Sequence, residues 1–239
     1  MANKKENETK EQSGKPKAGV GDYAHTLARA GLSTIPVVGG AIKEFFNTLI
    51  APPLQKHLIE WIESLEKEVY RLHDIAEDFR TEDLSKDNVF ATNFSYALQI
   101  AIRTHQSEKL AALRNAVLNI TIPISPDEDQ LLIFMSYVDI FTPTHLKILK
   151  FFDDPKEWAH QNGIKFPDWT MGTPADALEK AFPELERDFY DPIIKDLSDR
   201  GLLNNGIHTG TNGMKMVAGR TTKLGKKFLK FISSPFKIS

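Results

Sequence analysis

Leu54, Leu58, Trp61, Leu65, Val69, Leu72, Ile75 and Phe79 follow one another at spacings of three and four residues. Only a helix gathers such positions on one side, so the spacing predicts a long amphipathic helix over Leu54–Phe79 whose apolar stripe is buried against other helices. The stripe also suits a coiled-coil seam, but it is too short to demand one. Periodicity of the same kind predicts helices over Asp87–Arg103, with Phe90, Phe94, Leu98 and Ile102 on one face, and over Ser107–Asn119, with Leu110, Leu113, Val117 and Leu118 buried.

Punctuation between these runs sets the remaining elements. Ser125-Pro126-Asp127-Glu128 reads as a capping box, with Ser125 at the N-cap, that opens a helix running to Phe141. Asp127, Glu128 and Asp129 are first-turn acids complementing its dipole. Thr142-Pro143 starts a further helix, Thr144–Phe152. Asp153–Gly172 reads as irregular. Thr173-Pro174 opens a short helix to Phe182, and Glu184–Arg200 makes a longer one stopped by Gly201. The turn signals Asn204-Asn205-Gly206 and Thr211-Asn212-Gly213 predict a small β-hairpin, with Met214–Arg220 returning as a strand. Thr222 then caps a last helix, Lys223–Ile232. The fold class expected is mainly α: a helical domain over 22–140, preceded by a disordered tail over 1–21 and followed by a smaller domain over 141–239.

A short helix is expected over Asp22–Ala30. Ala30–Ile50 is the most apolar stretch, interrupted only by Lys43 and Glu44. Ile35, Val37, Val38, Ile42, Phe45 and Phe46 make it a candidate membrane segment. Its charged pair, Gly39-Gly40 and flanking prolines argue for a buried helical hairpin rather than a permanent span. Met1–Lys17 is rich in Lys, Glu and Gln and has no apolar core of a secretory signal. The chain contains no cysteine. That removes disulfides, thiolate metal sites and thiol nucleophiles, and it fits a reducing, cytoplasmic setting.

Charge is unevenly spread. From Lys215 to Ser239 there are seven cations and no acid, whereas Asp153–Arg200 holds twelve acids and six cations. Lys215, Arg220, Lys223, Lys226, Lys227 and Lys230 are therefore the candidate contacts for a protein partner, a phosphate or a lipid headgroup. The last helix sets Leu224, Phe228, Phe231 and Ile232 on one side and its lysines on the rest. It can lie on an anionic membrane surface, or, in the ordinary case, pack its apolar side on the domain.

Over Phe141–Phe236 the order helix, helix, helix, hairpin, helix resembles a winged helix-turn-helix. Arg220-Thr221-Thr222-Lys223-Leu224-Gly225-Lys226-Lys227-Phe228-Leu229 is similar to the end of the wing and the following helix in MarR-like and PadR-like bacterial regulators. Ile193–Leu203, with its Gly201-Leu202-Leu203, resembles their passage from recognition helix to wing. The resemblance implies that Glu184–Arg200 stands where those proteins read DNA. Here that position carries six acids against three cations, a surface that repels phosphates. Leu32–Asp139, with Ile35-Pro36-Val37-Val38-Gly39-Gly40 before a long acidic helix, resembles uncharacterised bacterial helical proteins, some suspected of roles in phage defence.

No chemistry is spelled out. His25, His57, His73, His105, His145, His160 and His208 form no spaced ligand set, Gly39-Gly40 lacks the Lys-Ser/Thr of a phosphate loop, and there is no nucleophile elbow. No catalytic, cofactor or metal site is expected. The leading expectation is a non-enzymatic interaction or adaptor protein whose winged-helix module holds a protein partner, in regulation of the phage-defence type. The rivals are a DNA-binding regulator, contacting nucleic acid through the basic wing, and a membrane-active effector using residues 30–50. The sequence sets no oligomeric state.

Overall fold

The computed structural model describes residues 52–75, 87–122 and 126–236. The expected tail, the Asp22–Ala30 helix and the whole Ala30–Ile50 segment, with Ile35, Val37, Val38, Ile42, Phe45 and Phe46, lie outside the described residues, as does the extension of the first long helix to Phe79.

The chain is mainly α. Helix α1 (Pro52–Ile75) buries Leu58, Trp61, Leu65, Val69 and Leu72, the stripe its spacing predicts. The indole of Trp61 donates to the carbonyl of Leu110 at 2.9 Å, pinning α1 to α3. Helix α2 (Asn88–Arg103) is capped by the Asp87 carboxylate, which accepts from the N–H groups of Val89 and Phe90. It packs on α1, α3 (Ser107–Ile120) and α4 (Glu128–Ile140). With three neighbours it buries more than one stripe: Ala97, Ile100 and Ala101 join Phe90 and Leu98, while Phe94 and Ile102 are only half-buried. Leu110 on α3 is likewise half-buried, beside the fully enclosed Leu113 and Val117. The cap of α4 is Asp127, whose carboxylate accepts from the Gln130 N–H at 2.9 Å. The expected N-cap, Ser125, falls two residues before the observed one and lies outside the described residues.

Phe141 turns the chain directly into α5 (Pro143–Asp153), with Thr142 at its N-cap. Helix α6 (Pro155–Gln161) then occupies part of the stretch expected to be irregular. Its start is local: Asp154 accepts from Lys156 and Glu157 N–H at 3.1 and 3.0 Å, and Pro155 takes the first helical position. Strand β1 (Met171–Gly172) leads into α7 (Pro174–Ala181), boxed by Thr173 and Asp176, and then α8 (Arg187–Asp199). Gly201, at φ 71°, takes the left-handed C-terminal position.

The expected hairpin is replaced by a different pairing. Strand β2 (Thr211–Asn212) pairs antiparallel with β1, Met171 opposite Asn212 and Gly172 opposite Thr211. A separate antiparallel bridge joins Leu203 to Thr221. Met214 does not begin a returning strand. The Asn212 side chain accepts from the Lys215 N–H at 3.0 Å and folds Gly213–Met216 into one helical turn, α9. The amides of Arg220 and Thr221 go instead to the Phe152 carbonyl on α5, at 2.7 and 3.3 Å.

Helix α10 (Lys223–Phe231) closes the structure. Thr222 accepts from Gly225 N–H at 3.0 Å and donates its hydroxyl proton to the Gly201 carbonyl at 2.6 Å. Gly225 is required by close approach, since a Cβ there would lie 2.2 Å from the Leu202 carbonyl oxygen. Phe228 stacks edge-on against Phe134, Tyr137 and Phe141, with centroids 5.5, 5.6 and 5.8 Å away. The end of α10 is held from α3. Asn119 donates to the carbonyls of Phe231 and Ser233, each at 2.8 Å, and Asn115 to that of Ile232 at 3.0 Å. Residues from both predicted domains thus share one apolar cluster.

Candidate interaction surface

Helix α8 is built to bury one face and expose another. Tyr190, Ile193, Ile194 and Leu197 turn inward onto the core. Arg187, Asp188, Phe189, Pro192, Lys195 and Asp199 turn outward. Each cation from Arg187 to Arg200 is already engaged by an acid four residues away on the same segment. Arg187 pairs with Asp191 at 3.3 Å, Lys195 pairs closely with Asp199, and Arg200 pairs with Asp196 at 3.0 Å. Glu184, Glu186 and Asp188 make no ion pair among the described residues. Between these acids stands Phe189, 54% exposed.

The first turn of α8 is braced from behind. His208, in the loop before β2, reaches Asp191 through Nε2 at 2.8 Å and Arg187 through Nδ1 at 3.2 Å. The Tyr190 hydroxyl, on a ring that is 0% exposed, donates to Glu179 of α7 at 2.6 Å. Burial, reinforced by that carboxylate, pushes the phenol well above its ordinary range. The phenol is held neutral as a donor. The members of this group satisfy one another, and their contacts hold the first turn of α8 against α7 and the loop before β2. None of these pairings was visible in sequence, because His208 and Asp191 meet only through the fold.

At the other end of α8 a second histidine is half-buried. His145 accepts the Thr142 N–H on Nδ1 at 3.2 Å, lies flat on Phe141 at 5.0 Å, and sets Nε2 3.6 Å from Asp196. Burial lowers its basicity; Asp196 works against this, while Arg200 and Lys109 add to it. Arg200 also stands over the Tyr137 and Phe141 rings, at 5.5 and 5.7 Å. On the bundle side, Asp139 receives both Arg103 contacts at 3.1 Å and the Tyr96 hydroxyl at 3.4 Å, and its backbone carbonyl accepts from Lys109.

The six predicted cationic contacts divide. Lys223, Lys226, Lys227 and Lys230 are exposed on α10 and make no ion pair among the described residues. Lys215 is exposed on α9. Arg220 departs from the expectation of an outward contact. It is half-buried, donates to the Lys215 carbonyl at 3.5 Å, and leaves its Nε enclosed without a partner. Burial accordingly lowers its basicity. Its backbone tie to Phe152 draws the residue inward, which the sequence run of cations could not show.

Beside the α10 lysines runs a groove of about 430 Å³ between α10 and the start of α4. Ile122, Pro126 and Phe231 give it apolar walls, and Lys227 and Lys230 stand at its edge. Asp127 also lines it, but that carboxylate is spent on the Gln130 backbone and side-chain amides. Lys227 reaches Gln130 Oε1 at 3.5 Å. Among the described residues, no group of three or more His, Cys, Asp or Glu is placed to hold a metal ion, and no helix is long and apolar enough to cross a membrane.

Comparison of the chain with protein-family models, with curated proteins and with solved structures returns no match.

Proposed function

We propose that this chain is a non-enzymatic interaction protein, and that residues from Phe141 onward use a winged-helix arrangement to hold a protein partner rather than to read DNA. The succession α5, α6, β1, α7, α8, β2, α9 and α10, with the Leu203–Thr221 bridge joining the ends of the segment between α8 and α10, supports that arrangement, with α8 in the recognition position. One observation carries the choice of partner: every cation of α8 and its C-cap is engaged by a carboxylate on the same segment. A helix reading DNA needs free cations against phosphates and base edges. This one offers surplus acid around an exposed aromatic ring, and aromatic anchors are what protein interfaces favour.

The test is duplex-DNA binding at low salt, where electrostatic attraction is strongest, on the native chain and on Arg187→Ala and Lys195→Ala. The expected result is that neither substitution alters whatever binding occurs. Tenfold weakening by either would mean α8 contacts DNA and would overturn the reading. A photoreactive phenylalanine analogue at position 189 should cross-link to a polypeptide, and Asp188→Lys should abolish that capture.

A second reading has its own observation. The four exposed lysines of α10, which make no ion pair among the described residues, suit a polyanion, either the backbone of a nucleic acid or an anionic membrane surface. That contact would be sequence-blind and would vanish with added salt. A setting in phage-defence-type regulation rests on the resemblance of the Ile35–Gly40 run.

A further inference from the structure

The acidic face of α8 and the basic groove beside α10 are complementary to each other, and one molecule cannot join them. Phe189 stands on the first turn of α8, whereas Arg200, just past its far end, is the residue that meets the Tyr137 and Phe141 rings near α10. Eleven residues of helix separate the two by roughly 16 Å, and the His208 and Tyr190 contacts hold the first turn in place. Phe189 therefore cannot fold back into its own groove.

Resting on the reading of α8 as a protein-binding face, we propose that its partner is a second copy of this chain. Phe189 of one copy enters the groove walled by Ile122 and Phe231 on the other. Glu186 and Asp188 come to face Lys227 and Lys230. Three features match. The groove, at about 430 Å³, has room for an aromatic side chain. The ring is one of the large apolar groups left exposed among the described residues. Among the described residues, the acids around it and the lysines around the groove make no ion pair, so neither side breaks one there to associate. The contact joins two different patches. It closes as a reciprocal dimer or continues as a chain of copies.

The test is molar mass in solution, by light scattering and sedimentation, across a range of salt. At low ionic strength the native chain should run well above its 26.9 kDa monomer, and it should return toward that value as salt screens the contact. Asp188→Lys with Phe189→Ala blocks the ring side; Lys227→Glu with Lys230→Glu blocks the groove. Each double variant should be monomeric alone, with unchanged circular dichroism and melting temperature. An equimolar mixture should form a two-chain species, because each supplies the patch the other lacks.

A native chain that stays monomeric at low salt, or a mixture that fails to associate, overturns the second-copy proposal. Either result leaves the protein-binding reading of α8 intact if position 189 still cross-links to a foreign polypeptide. Loss of that reading shows instead as DNA binding weakened by Arg187→Ala. Binding of duplex DNA or anionic vesicles by a monomeric native chain, lost in Lys227→Glu with Lys230→Glu, assigns the groove edge to polyanions and also overturns the proposal.

Discussion

Asn119 is the side chain on which the closure of the molecule can be measured. It is buried on α3, and its amide nitrogen lies 2.8 Å from both the Phe231 and Ser233 carbonyls and 2.9 Å from that of Asn115. An amide nitrogen has two protons, so those contacts are shared, and the carbonyls at the end of α10 depend on them. Asn119→Ala strands two acceptors; at about 1–3 kcal/mol for each buried group left unsatisfied, offset where water enters, the expected loss is about 2–4 kcal/mol. Asn119→Asp should cost more at neutral pH, because a carboxylate would face carbonyl oxygens with nothing to donate. That extra cost should shrink on acidification, when the protonated acid regains one donor. Urea unfolding at equilibrium reads both, as a lower midpoint with an unchanged slope. A loss under about 0.5 kcal/mol for Asn119→Ala, within the scatter of ordinary surface substitutions, would refute the argument. So would equal stability of the two variants at neutral pH.

Gly225→Ala should destabilise by about 2 kcal/mol or more, in the upper range for overpacking, because the obstructing atom is the Leu202 backbone oxygen rather than a movable side chain; thermal melting reads this. Thr222→Ala should cost about 1–2 kcal/mol through loss of the helix cap, with Thr222→Ser largely restoring it. His145 contributes a pH dependence of definite sign. Its folded-state pKa lies below the ordinary 6.5, so the unfolded chain binds the proton more readily. The stability it confers is therefore complete above that ordinary value and is lost as pH falls through the lowered one. His145→Gln should flatten this part of the stability profile, and a native profile that rises on acidification there would contradict the assignment.

The helices were legible where periodicity and caps agree. The α1 stripe, the Thr173 and Thr222 caps and Gly201 are local signals, and each element stands where those signals place it. Helix α6 was equally local, written in Asp154-Pro155-Lys156-Glu157, but the prolines and tryptophans around it read as irregular chain. The pairing of β1 with β2 was not legible. Two-residue strands carry no alternation, and Asn212, read as a turn residue, spends its side chain on starting α9. At the candidate surface, the acid surplus of α8 could be counted from the sequence, and its i, i+4 spacings could have suggested the ion pairs. The exposure of Phe189 could not, since Phe189 and Tyr190 are neighbours of similar character and only the packing of α8 decides which turns inward. The burial of Arg220 was hidden for the same reason.

The grip of α3 on the end of α10 bears on how the molecule would come apart. A protease that severed the link between α3 and α4 would leave two pieces, one carrying Asn115 and Asn119 and the other carrying the helix they hold. Phe228 and Phe231 would still be wedged against Phe134 within the second piece, and the two asparagines would clasp it to the first. The nicked protein should travel as one particle in a native gel and separate only in denaturant, like a lock whose bolt belongs to one half and whose keeper belongs to the other.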